Sequence, residues 1–167
     1  MHTSPLLAQH LSELASCLSQ TGKTVTCAES CTGGLIGATL TSVAGSSGWF
    51  NAGFITYSNE MKTKLLGVPQ DALNQFGAVS EPVVKAMANG ALASANADYA
   101  VSVSGIAGPG GGTEFKPVGT VCFGFAIKGR ATVVTTEHFS GERDQVRAAA
   151  VAFAVEQLLK YATSSAA

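Results

Sequence analysis

Charge is scarce in this chain. Asp, Glu, Lys and Arg make up 13% of the 167 residues, eleven acids nearly cancel ten bases, and no run gathers the bases together. A dedicated nucleic-acid binder needs clustered cations to meet the phosphate backbone, so no nucleic-acid partner is expected. Long apolar runs are missing as well. Nowhere do the ~18 consecutive apolar residues of a membrane span occur. Met1 to Gln20 also lacks the basic flank and unbroken apolar block of a signal peptide. The three histidines, His2, His10 and His138, are scattered, and Cys17, Cys27, Cys31 and Cys122 include no CxxC pair. Neither a metal site nor a redox motif is supported, and reduced thiols in a cytoplasmic protein are expected.

What the chain does contain is core material: hydrophobic residues are 46% of it, and 19 positions are glycine. A single domain over residues 1–167 follows, since no linker, repeat or low-complexity boundary divides it. Leu6 to Leu18 carries helical spacing within an N-terminal helix over 1–20, stopped by Thr21-Gly22. Thr24–Ala28 reads as a strand and Gly33–Val43 as a helix. Trp49–Tyr57 is aromatic and β-branched, hence a strand. Helices are predicted over Glu60–Leu66 and Gln70–Phe76, and from Ser80, as cap, to about Asn96. Tyr99–Ser104 is a short buried strand. Val118–Ile127 and Thr132–Phe139 form a hairpin across Lys128-Gly129-Arg130. A last helix starts after Gly141 and ends near Tyr161, leaving 162–167 as a frayed tail. This alternation predicts a three-layer α/β/α domain with a mixed sheet and glycine-rich loops at one edge.

The densest chemistry lies in Thr24–Gly34. An alternating apolar strand breaks into Glu29, Ser30, Cys31 and Thr32, then Gly33 and Gly34 open a helix. Helix-start amides lack intrahelical partners and carry the positive end of the dipole, so they suit phosphates or developing oxyanions. Taken on the residues alone, Ser30 or Thr32 as a plain helix cap is the slightly better fit. Ser104–Gly112 is a second glycine-rich loop after a strand, rich in free amides. It matches neither a P-loop nor a dinucleotide fingerprint.

Several segments in order resemble the CinA C-terminal domain family, which includes stand-alone nicotinamide mononucleotide (NMN) deamidases. They are Ala28-Glu-Ser-Cys-Thr-Gly-Gly34, Phe54-Ile-Thr-Tyr-Ser-Asn-Glu60 with Lys62, Gly77-Ala-Val-Ser-Glu-Pro82, Ser104-Gly-Ile-Ala-Gly-Pro-Gly-Gly-Gly112 and Lys116-Pro-Val-Gly-Thr120. The resemblance implies hydrolysis of the NMN carboxamide to nicotinic acid mononucleotide and ammonia, without metal or cofactor.

Amide hydrolysis needs a nucleophile, a proton acceptor and an oxyanion stabiliser. With the resemblance in hand, Ser30 is the expected nucleophile. Lys62 is the expected base, and Tyr57 either relays a proton between them or orients the lysine. Two alternatives remain open: water activated by Glu29, and the Cys31 thiol with its pKa lowered by the helix start. Expected substrate contacts are Glu29, Cys31, Thr32, Gly33, Gly34, Ser47 beside Trp49, Gly105, Ile106, Ala107, Gly108, and Arg143 on the phosphate. Lys116 is a further phosphate candidate. A non-catalytic nucleotide-binding module is the rival function, and the alanine-rich helices favour a homo-oligomer.

Overall fold

Apolar and β-branched clusters become five strands: β1 (Val25–Glu29), β2 (Phe50–Ile55), β3 (Tyr99–Gly105), β4 (Thr120–Ile127) and β5 (Val133–His138). The computed structural model describes residues 4–166. The strands form one mixed sheet in the order β2-β1-β3-β4-β5, with β1 parallel to β2 and β3, and β4 antiparallel to β3 and β5. Strands β1, β3 and β4 are buried almost throughout because helices cover both faces.

The two faces differ in side-chain size. Cys27, Val101, Val103, Phe123 and Phe125 meet α1 (Pro5–Thr21), α2 (Leu35–Thr41) and α6 (Arg143–Ala166). On the other face, Ala28, Ala100, Cys122 and Ala126 meet α3 (Asn59–Leu66), α4 (Gln70–Phe76) and α5 (Glu81–Ala95). Small residues let α5 lie close to the sheet. Gly90 lets α3 lie close to α5, since a methyl group there would run into the Leu66 carbonyl. That contact seats α3, and α3 carries Lys62.

Most expected elements form within a residue or two of their predicted limits, the usual uncertainty of helix and strand ends. Two details differ. Ser80 holds the N-cap position of α5 but without a side-chain cap bond; its hydroxyl donates to the Gly77 carbonyl at 2.7 Å. Helix α6 continues past Tyr161 to Ala166, because Ala162 is a core residue and Thr163 bonds back to Leu159. Residues 1–3 of the expected first helix, and Ala167 of the expected tail, lie outside the described residues.

Parallel β1 and β2 require a crossover that returns the chain to its starting end. The segment α2 with a 3-10 turn at Ser46–Gly48 does this, bringing the Trp49 carbonyl to within 2.8 Å of the Val25 amide. The carboxyl ends of β1, β2 and β3 therefore share the opposite end of the sheet. There the glycine-rich loops gather, at the ends of interior strands β1 and β3.

Candidate active site

At the end of β1 the chain leaves the sheet in a tight turn, with the Gly33 amide donating to the Ser30 carbonyl at 3.0 Å. Gly34 then enters α2 at φ 102°, a conformation open to glycine but strained for other residues. Glu29 holds this elbow from beneath. Its carboxylate is 1% exposed and accepts from the Thr32 hydroxyl at 2.5 Å and from the amides of Gly34, Ile36 and Gly37 at 3.1, 3.1 and 2.8 Å. A side-chain anion thus occupies the α2 dipole. Its oxygens are turned away from Ser30 and are already engaged.

Alternation along β1 puts Ser30 on the opposite face from Glu29, toward α3. Lys62 is 1% exposed and brings its Nζ to 3.0 Å from the Ser30 Oγ. The same Nζ donates to the Thr56 carbonyl at 2.7 Å and the Tyr57 carbonyl at 3.4 Å. No carboxylate pairs with Lys62 among the described residues. Burial lowers its pKa from the ordinary lysine value, more than the neighbouring Cys31 thiol, as an anion, would raise it. A neutral amine has two N–H donors and one lone pair. In that state the two carbonyls can take the donors and the lone pair can accept the hydroxyl proton of Ser30; protonated, Lys62 donates to the Ser30 Oγ.

The other expected residues divide. Tyr57 does not bridge Ser30 and Lys62 through its phenol; it orients the lysine through its backbone carbonyl. Its side chain stands 61% exposed, with the hydroxyl accepting from Arg143 Nη2 at 3.3 Å. Arg143 also donates from Nη1 to the Gly108 carbonyl at 2.8 Å and has no salt-bridge partner among the described residues. A cavity of about 270 Å³ opens beside it, lined by Ala107, Pro109, Val118, Gly141 and Glu142. Gly105 ends β3 opposite Val121, and both backbone groups of Ile106 are bonded to the Gly119–Thr120 segment. In this loop the amides of Ala107 and Gly108 lack acceptors among the described residues.

Three expectations need correction. Gly33 and Gly34 offer no free amides, because these are bonded to Ser30 and Glu29. Among the described residues, the elbow amides without a backbone acceptor are those of Cys31 and Thr32, while the Thr32 side chain serves Glu29 rather than a ligand. Ser47 is exposed at the amino end of β2, the wrong end of the sheet, because the β1–β2 crossover carries it there. Buried Trp49 belongs to the core. Cys31 is also buried, and loss of solvent pushes its thiol up to about 11, outweighing the opposing pull of its own backbone amide and, more weakly, of Arg147 and Lys62. It is a poor nucleophile at neutral pH. Cys31→Ala is therefore expected to keep activity within about threefold of the parent; a loss on the scale of a nucleophile would restore the thiol reading.

Arg147 escaped the sequence reading. Its Nε donates to the Cys31 carbonyl at 3.1 Å and its Nη2 to the Thr32 carbonyl at 3.2 Å, clamping the elbow from α6. Its place one helical turn after Arg143, on the same face, was the available signal. Lys116 reaches the Phe76 carbonyl at 2.8 Å and lines a different cavity with Phe115 and His138.

Fold and site together define a three-layer α/β protein with a half-buried serine against a buried lysine at the carboxyl end of its parallel strands. The chain belongs to the CinA C-terminal domain family, whose model matches residues 7–162. It is 55% identical over 152 residues to the nicotinamide-nucleotide amidohydrolase PncC of Escherichia coli K12, covering 91% of this chain and 92% of that one. The protein of the same name from Enterobacter agglomerans is 55% identical over 148 residues, covering 89% and 90%. Among solved structures, the competence/damage inducible protein CihA from Agrobacterium tumefaciens superposes with a TM-score of 0.92 at 39% identity, covering 96% and 98%.

Proposed function

We propose that this protein is an amidohydrolase that converts nicotinamide mononucleotide to nicotinic acid mononucleotide and ammonia, with Ser30 as nucleophile and Lys62 as base. The observation that carries the reading is the 3.0 Å contact between Ser30 Oγ and a buried Lys62 amine whose two other contacts are carbonyls. The relatives named nicotinamide-nucleotide amidohydrolase supply the substrate.

In this mechanism neutral Lys62 takes the Ser30 proton as Oγ attacks the carboxamide carbon. The resulting oxyanion is stabilised by elbow amides that follow Ser30. Lys62, now an ammonium, returns its proton to the amide nitrogen, the C–N bond breaks and ammonia leaves. Neutral Lys62 then takes a proton from a water molecule as it attacks the acyl-serine; the ester C–O bond breaks, the product acid leaves, and the lysine ammonium returns the proton to Ser30 Oγ. Arg143 and the Ala107–Gly108 amides hold the phosphate, at the cavity beside that arginine. Four unpaired cysteines suit a reducing, cytoplasmic setting, and a homo-oligomeric state is part of the same reading.

Purified protein is expected to release one ammonia per NMN consumed. Hydroxylamine added during turnover should divert acyl-enzyme to the hydroxamate. No ammonia from clean NMN would refute the activity; ammonia without hydroxamate would favour direct attack by water.

A further inference from the structure

We propose that Tyr57 is the specificity residue for the positive charge on the substrate ring, its phenol face receiving the pyridinium while Arg143 takes the phosphate. This rests on the amidohydrolase reading and goes beyond it, because it says how the site recognises a zwitterion.

The topology sets the arrangement. Tyr57 follows β2, Gly108 follows β3, and Ser30 follows β1, which lies between them. Arg143 joins the outer two, at 3.3 Å from the Tyr57 hydroxyl and 2.8 Å from the Gly108 carbonyl. Tyrosine and arginine thus link the segments that follow β2 and β3, the two strands flanking β1, whose end leads into Ser30. The tyrosine is held at both ends, by its carbonyl on Lys62 at 3.4 Å and by its hydroxyl on Arg143. Between these anchors the side chain is 61% exposed. A large aromatic fixed in place yet left uncovered, one residue from a catalytic lysine's carbonyl ligand Thr56, is suited to contact a ligand rather than the core.

The substrate ring is quaternised at its glycosidic nitrogen and carries a formal positive charge. A carboxylate would be the usual partner, but Glu29, the acid adjoining Ser30, is buried under the elbow with its oxygens engaged. The face of an aromatic ring offers the alternative, attracting a cation through its quadrupole. The guanidinium nearby does not oppose this. With no salt-bridge partner of its own among the described residues, it meets the phosphate at the other end of the same molecule. A neutral ring would gain no such attraction from the tyrosine.

Binding of NMN and of its 1,4-dihydro form tests this, because the two share phosphate, ribose and carboxamide but only the first has a charged ring. The measurements use Ser30→Ala protein, which holds NMN without consuming it. The parent is expected to prefer NMN. Tyr57→Phe should keep that preference, and Tyr57→Leu should cut it by about three- to thirtyfold through weaker NMN binding alone. Arg143→Gln should weaken both ligands alike, and Glu142→Gln should leave the ratio unchanged. An intact preference in Tyr57→Leu overturns the proposal. So does equal loss in the phenylalanine variant, or collapse of the ratio in Glu142→Gln. Failure of the amidohydrolase reading shows separately, as absent ammonia release by the protein with Ser30 intact.

Discussion

Ser30→Ala is expected to lower kcat for NMN by about 10⁴-fold or more, Lys62→Met by a similar factor, and the double variant by little more than either. The two groups act as one unit: the hydroxyl is inert without its base, and the amine has no proton to take without the hydroxyl. Additive losses from steady-state measurements would show that each acts alone. The pH dependence has a fixed sign. Because burial depresses the pKa of Lys62, kcat/KM should rise with pH through that depressed value and then level off. An activity that falls across the same range would remove Lys62 as base.

The same lysine also makes a prediction for stability. Below its folded-state pKa the group is protonated in both folded and unfolded chains, and the full penalty of burying an ammonium is present. Between that value and the ordinary value near ~10.4 the unfolded chain binds more protons, so stability rises with pH. Each unit of depression corresponds to about 1.4 kcal/mol. Lys62→Met should therefore melt higher than the parent at neutral pH while being inactive. A catalytic group held at the expense of the fold would be separated from a structural one by that pair of readings.

Glu29→Ala is expected to unfold the elbow. Three amides, Gly34, Ile36 and Gly37, and the Thr32 hydroxyl all donate to this one carboxylate. Orphaning one buried and two half-buried amides at about 1 kcal/mol each costs about 3 kcal/mol. For a chain of this size that lowers the melting midpoint by roughly 6–12 °C. Activity should fall with it, since Ser30 rides on the turn, and Glu29→Gln should be intermediate because its amide keeps one acceptor oxygen. An unchanged melting point with lost kcat would instead make Glu29 a base acting on water.

The strand and helix pattern was legible because apolar periodicity, glycine stops and proline starts are local properties of the chain. The proposal of Ser30 and Lys62 rests on motif resemblance joined to the strand–turn–helix pattern around Glu29 to Gly34; the 3.0 Å contact between them is a tertiary feature. Ser47 was misplaced because proximity in sequence to a glycine turn says nothing about which end of a sheet the turn occupies. A parallel crossover decides that, by returning the chain before the next strand begins. Gly33 and Gly34 look like ligand amides in sequence because nothing local shows that the preceding glutamate folds under the turn and takes up the α2 amides.

The sequence by itself determined which segments become strands and helices, and which side chains have the chemistry to open an amide. Only the tertiary structure decided that Lys62 is stripped of water beside Ser30, that Cys31 is silenced by burial, and that Tyr57 leans outward to Arg143. Desolvation and directional contacts belong to segments far apart in the chain. Lys62 lies 32 positions from Ser30, and Tyr57 lies 86 from Arg143. No local pattern encodes where such segments meet; the sheet order β2-β1-β3 brings them together.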